Sequence, residues 1–305
     1  MKKQLFLIHG SALLAMFFWG MSYIWMKQVF VHIGPATTIL IRLLISSVFL
    51  FILLKLMRKT ERIYKKDVGI IFLAALLNPF LYFIGESFGL QLVSPTISAA
   101  IIATIPVFTP VFAYIFLREK LSWLSIAGLI ISFAGILVML VLKDLTFSAS
   151  PDGIPLLFGA VASAVFYGLL LKKLTLRYKP LTIVWLQNSI GILYFLPVVL
   201  LKEGKEISDI QLTFPIIQNL ILLGIFASSL AFVFFTYTVS KIGISRTNIY
   251  TNMIPVFAAF FSYYILNELI TSEKIVGIAL VITGVILSQK RKKKIPLLFK
   301  THESI

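Results

Sequence analysis

IPVFTPVFAYIFLREKL, residues 105–121, and IPVFAAFFSYYILNELI, residues 254–270, are two versions of one pattern. Each opens on Ile-Pro-Val-Phe, continues through apolar and aromatic residues, and closes on a glutamate followed within two positions by Leu or Ile. At the same offset of 149 positions Pro106 meets Pro255, Glu119 meets Glu268, Gly128 meets Gly277 and Gly135 meets Gly284. The match therefore runs through two consecutive segments. At an offset of 145, Lys27 meets Lys172, Pro35 meets Pro180 and Thr37 meets Thr182, the slip of four falling between the second and fourth segments of each half. The chain reads as one five-segment unit written twice, residues 1–147 and 148–290, with a basic tail at 291–305.

The segments belong in lipid. Hydrophobic residues make up 59% of the chain and charged ones only 13%, with a mean hydropathy of +0.98, against about 25% charged residues in soluble domains. A span needs about 20 apolar residues to cross about 30 Å of hydrocarbon. Apolar runs fall near residues 9–30, 36–57, 68–90, 95–117, 122–142, 153–173, 181–201, 215–239, 244–266 and 272–289. They are continuous rather than alternating, so they predict helices, which satisfy their own backbone groups in lipid. The expected fold is all-α and integral to the membrane, with ten transmembrane helices and no room for a soluble catalytic domain. The amino-terminal run reads as a retained first span rather than a cleaved signal.

A net charge of +16 does not here indicate a nucleic-acid partner, because the basic residues lie between the apolar runs and at the carboxy terminus. On the face carrying the amino terminus 22 Lys and Arg residues collect, against 5 on the other, which places both termini in the cytoplasm of a cell (inner) membrane. Five is odd, so the second unit enters the bilayer with polarity opposite to the first. Two inverted repeats are a recurring design of secondary transporters, in which one copy gates the outside and its twin the inside.

With these features the chain is similar to the EamA-like family of the drug/metabolite transporter superfamily. The residues that carry the resemblance are Trp19-Gly20-Met21-Ser22 and Lys27 in helix 1, Arg42 in helix 2, the paired Ile-Pro-Val-Phe segments, and Gly128, Gly135, Gly277 and Gly284. The resemblance covers residues 8–290 and implies ten helices in two inverted halves that move small metabolites, commonly by export. Gln187 stands where Arg42 falls in the first half, a departure from a symmetric role for that arginine.

Prolines within spans remove a backbone hydrogen bond, so Pro106, Pro110 and Pro255 are expected hinges, and Asn78-Pro79 interrupts helix 3 similarly. Of twelve acidic residues only Glu86 falls inside a span, making it the expected proton-binding carboxylate, or else an outward-facing partner of Lys27 or Arg42. Arg42 lies near enough to the outer face to snorkel. Glu119 and Glu268 precede Ser122 and Thr271, the expected N-caps of helices 5 and 10, and so complement the positive ends of those helices. The glycines spaced by seven on those helices point to close packing or dimerisation.

Cavity-lining candidates are Trp19, Tyr23, Asn78, Tyr82, Tyr167, Trp185, Gln187, Asn188, Tyr237, Asn248, Thr251 and Asn252. Asn248 and Asn252, one α-helical turn apart, are the foremost expected ligand contacts. The three histidines, His9, His32 and His302, are scattered, there is no cysteine, and no glycine loop cradles phosphate. No metal, cofactor or direct ATP coupling is expected. The reading is a secondary transporter, not an enzyme, moving amino acids or related amphipathic solutes by alternating access, as a monomer or homodimer, with protons a potential coupling ion. The alternatives are an integral-membrane enzyme and a non-transporting scaffold or channel.

Overall fold

The computed structural model describes residues 2–58, 60–117, 122–140, 150–205, 210 and 212–289. Ten helical rods occupy nearly all of them, and no strand occurs among the described residues. They are α1 (Lys2–Val29), α2 (Pro35–Leu56), α3 (Lys65–Leu92), α4 (Pro95–Ile102 continued as Ile105–Leu117), α5 (Trp123–Leu140), α6 (Gly153–Leu174), α7 (Pro180–Lys202), α8 (Phe214–Ile242), α9 (Ile244–Thr247, Asn248–Asn252 and Met253–Leu266 in series) and α10 (Ser272–Gln289). All ten expected helices are present. Seven of them, α1, α2, α3, α6, α7, α8 and α9, are by length and composition able to cross a membrane, fewer than the ten spans expected: α4 and α5 carry shorter apolar stretches, Pro95–Thr109 and Ile126–Leu140, and α10 is not among the seven. Leu44, Val48 and Phe51 on α2 and Leu193 and Leu200 on α7 stay exposed on the outside of the bundle, as lipid-facing side chains must.

Helix starts follow local chemistry. Pro35, Pro95 and Pro180 open α2, α4 and α7 at the position where a missing N–H costs nothing. The free N–H groups of Ala36 and Thr37 at the start of α2 donate to Glu203, beyond the end of α7, at 2.9 and 2.7 Å. Reciprocally, the Lys179 N–H at the start of α7 donates to Glu61, beyond the end of α2, at 2.8 Å. Each of this antiparallel pair is thus capped by a carboxylate from the loop after its neighbour, where the helix dipole favours negative charge.

Four helices are interrupted in mid-course. In α3 a π-turn spans Leu76–Leu81, with Asn78 at φ −144° and ψ 118°, because Pro79 can neither donate nor fit the preceding α-turn. Ser163 of α6 donates to the Leu77 carbonyl at 2.6 Å, serving one of the loosened backbone groups. A second π-segment, Leu223–Leu230, interrupts α8 without proline, and the Ser229 hydroxyl donates to the Gly224 carbonyl at 2.8 Å. In α4 the break lies at Ala103 and Thr104, just before Pro106, and in α9 a 3-10 segment, Asn248–Asn252, precedes Pro255. Pro106 and Pro255 therefore sit in the first turn of a fresh helical piece, and the irregular backbone lies before the ring rather than at it. The helix Ile105–Leu117 runs on through Pro110.

α5 and α10 pack along their glycines. A Cβ on Gly135 would lie 2.7 Å from the Gly277 carbonyl oxygen, one on Gly277 2.1 Å from Met139 Cγ, and one on Gly284 2.5 Å from the Gly128 carbonyl oxygen. The expected role in packing is met inside the chain. Thr271 accepts from the Lys274 N–H at 3.4 Å, so it caps α10 as expected. The Glu268 carboxylate does not join that cap; it accepts from Lys274 Nζ at 2.8 Å and from the Ser262 hydroxyl. The expectations concerning Glu119, His302 and the basic tail 291–305 lie outside the described residues.

Candidate functional site

A cavity of about 70 Å³ lies among α1, α2, α3, α4, α6, α8 and α9. The interrupted stretches of α3, α4 and α9 all reach it, at Asn78, Ile102 and Ile105, and Asn248 and Thr251. Non-helical backbone is tolerated at membrane depth where it lines such a space. Its wall is largely aromatic, with Trp19 against Phe232 and Phe235 at ring separations of 4.9 and 5.1 Å, and Phe83 edge-on to Phe232 at 6.1 Å.

Two charged side chains line the same space. Arg42 is 1% exposed, so it does not snorkel as its depth suggested. Its Nε donates to Ser228 Oγ at 2.7 Å, its Nη1 approaches Met26 Sδ at 3.2 Å, and its guanidinium carbon sits 4.4 Å over the Phe83 ring. The ring face and the hydroxyl stand in for the water the cation has left. Glu86 is also buried, not outward-facing. Its Oε1 accepts from Tyr23 and Tyr82 at 2.9 and 2.7 Å. Lys27, an expected partner, instead donates to the Gln91 carbonyl at 3.1 Å near the end of α3. Among the described residues no ion pair joins Arg42 to Glu86.

Of the expected lining residues, Trp19, Tyr23, Asn78, Tyr82, Tyr167, Asn248 and Thr251 reach the cavity. Gln187 stands one layer back, its Oε1 accepting from Tyr167 at 3.1 Å and orienting that phenol. Asn188 serves a seam instead, donating to Ser46 at 2.7 Å and the Ser228 carbonyl at 2.9 Å and joining α2, α7 and α8. Trp185 does not line the cavity; it lies against Phe51, 44% exposed on the outer face of α2. Tyr237 does not line it either and sits under Lys241 near the end of α8. The pairing of Asn248 with Asn252 fails for a geometric reason. In a 3-10 segment positions three apart eclipse, so Thr251 joins Asn248 at the cavity while Asn252 turns into the protein with its Oδ1 unpartnered.

Phe83, Phe232, Phe235, Ile102, Ile105, Ala164 and Gly168 also contribute to the wall. Composition could not single out these ordinary span residues. Their positions could have done so: Phe83 and Phe232 stand 149 apart, as do Ile102 and Thr251, and Ile105 and Ile254.

The EamA-like transporter family model matches residues 7–141 and again 152–289. The chain belongs to the EamA-like transporter family. An uncharacterized transporter of Archaeoglobus fulgidus is 25% identical over 90% of this chain and 96% of its own. The uncharacterized transporter YvbV of Bacillus subtilis is 28% identical over 95% of each. A solved crystal structure superposes with a TM-score of 0.63 at 16% identity, covering 90% of this chain and 98% of the other, a likeness of fold. The chain is a multi-pass membrane transporter by family and by its apolar helices.

Proposed function

We propose that this protein is a secondary transporter that carries amino acids or related amphipathic metabolites, in the direction of export, by alternating access between two inverted five-helix repeats, 1–147 and 148–290. It would lie in the cell (inner) membrane with both termini cytoplasmic. The observation that carries this reading is the composition of the cavity wall. Trp19 and Ala164, Ser22 and Tyr167, and Tyr23 and Gly168 stand 145 positions apart. Phe83 and Phe232, Glu86 and Phe235, Ile102 and Thr251, and Ile105 and Ile254 stand 149 apart. All fourteen residues line the one cavity. A space walled by equivalent positions of both repeats is what a two-fold axis through a transport site requires.

Three further contacts support it. Gly135 meets Gly277 while their counterparts Gly284 and Gly128 meet each other, the reciprocal pattern of a two-fold contact. The mutual capping of α2 and α7 by Glu203 and Glu61 is reciprocal in the same way. The π-interruptions of α3 and α8, and the breaks of α4 and α9, fall at matched places, the best local pointer to a transport site. The hinges are those breaks, with Pro106 and Pro255 fixing where each resumes as helix and Pro110 one turn further on. Should the coupling ion be a proton, Glu86 is the cavity carboxylate that takes it.

The test is counterflow in proteoliposomes. Vesicles preloaded with an unlabelled amino acid should accumulate its radiolabelled form transiently above equilibrium, because a carrier returns faster when loaded. Equilibration without overshoot, for every solute that crosses, would replace the carrier with a channel.

A further inference from the structure

The cavity has a charged pole set in an otherwise largely apolar wall. The charged pole is built by the first half alone, from Arg42 on α2 and Glu86 on α3, while the positions matched to them in the second half are Gln187 and Phe235. Apolar residues of the same wall include Phe232, Phe235, Ile244 and Ile254. At the charged pole each ionic group is held by part of its bonding capacity only. The two tyrosine hydroxyls occupy Glu86 Oε1, and Oε2 has no hydrogen-bond partner among the described residues. Ser228 and Met26 occupy Arg42 Nε and Nη1, leaving Nη2 without one. Neither free atom is among the sealed, unpartnered polar atoms, so both remain open to the cavity they line. Two opposite charges that share one cavity yet do not bond each other are costly to keep in a membrane interior unless something completes them.

We infer that Arg42 Nη2 and Glu86 Oε2 form a two-point clamp for a zwitterion, the arginine taking the solute's carboxylate and the glutamate its ammonium. This rests on the transport reading only in that the cavity accepts a solute. The clamp is net neutral with its ligand bound, and Tyr23 and Tyr82 fix the carboxylate while Phe83 fixes the guanidinium plane, so little conformational entropy is lost on binding. The solute's apolar side chain points to Phe232 and Phe235. Zwitterions are therefore preferred over the same molecule with either charge blocked.

The experiment is ligand-induced thermal stabilisation of the detergent-purified full chain by L-leucine, L-methionine and L-phenylalanine, each beside its methyl ester and its N-acetyl derivative. At least one free amino acid is expected to bind about tenfold or more tighter than either blocked form, because each blocked form strands one buried charge. Glu86→Gln, whose amide oxygen still accepts from the two tyrosines, should abolish the preference over the N-acetyl form while retaining that over the ester. Arg42→Gln should do the converse, and Arg42→Lys, which keeps the charge, should restore most of the preference over the ester should the glutamine variant not fold. Binding of all three forms within about twofold, equal weakening of all three in Glu86→Gln, or no stabilisation by any free amino acid would overturn the clamp. Counterflow of other solutes would then still support the carrier, and crossed selectivity without counterflow would keep the clamp while removing the carrier.

Discussion

At the scale of the residue, position in the chain and position in the bundle part company for several side chains of the same chemical type. Asn248 faces the cavity and Asn252 does not, because the backbone between them winds with three residues per turn. Asn188 spends its amide on a seam with Ser46 and Ser228. Trp185 and Tyr237 lie outside the cavity, although both looked equal to Trp19 and Tyr167 as amphipathic aromatics in spans. In single-variant uptake assays Asn248→Ala and Tyr167→Phe should raise KM about two- to tenfold, the worth of one net hydrogen bond. Trp185→Ala and Tyr237→Ala should leave KM within twofold. A large KM effect at Trp185 with none at Asn248 would mean that the solute takes another route. The fate of these polar residues was not legible in the sequence, since a polar side chain in a span is placed equally well in a cavity or in an interhelical bond. The charged pair was more legible. Bilayer cost alone marks Glu86 and Arg42, but their common cavity depends on α2 and α3 lying side by side.

At the scale of the element, α5 and α10 are joined by backbone contact that only glycine permits. Gly277→Ala places a methyl group against Met139 and the Gly135 carbonyl and should cost about 1 to 3 kcal/mol of stability, the range of overpacked cores, read as a lowered melting temperature in detergent. Gly159→Ala on α6, where a Cβ meets nothing within 4 Å, should be neutral or slightly stabilising. Equal effects at the two sites would mean that α5 and α10 do not touch there. Beyond the end of α9, burial opposes the charge of Glu268, yet hydrogen bonds from Lys274, Ser262 and Ser94 outweigh it and hold the carboxyl below its ordinary value of 4.5. A depressed folded-state value means that the stabilisation is complete above about pH 4.5 and is lost as pH falls through the folded value. Glu268→Gln should therefore lower the melting temperature at pH 7, and the gap from the unsubstituted protein should close as the pH is taken to 4 and below. A gap independent of pH would assign the effect to packing alone. Helix existence and ends were legible here, from apolar run lengths, Pro35, Pro95 and Pro180, and the Thr271 cap. The π-segment of α8 was not, because it contains neither proline nor an unusual residue.

At the scale of the whole molecule, the arrangement of ten rods decides which faces are wet. The chain has no cysteine, so single cysteines introduced at exposed positions in loops or at helix ends report sidedness directly. Lys202→Cys should react with a membrane-impermeant maleimide in intact cells, and Arg62→Cys only after permeabilisation. Labelling of both from outside, or of neither before permeabilisation, would end the inverted-repeat reading, and the reverse result would put both termini outside the cell. The order of the elements and their membrane setting were determined by the sequence alone, because hydrocarbon imposes run length and internal backbone bonding on any chain that crosses it; the doubled unit is proposed from the fixed offset between matched proline and glycine positions. What only the tertiary structure decided is which polar atoms face one another across helices. The Tyr23, Tyr82 and Glu86 cluster, the setting of Arg42 over Phe83, and the turn of Asn252 away from the cavity depend on helix rotation and local winding. Those are set by packing between distant segments, and no periodicity within one segment encodes them.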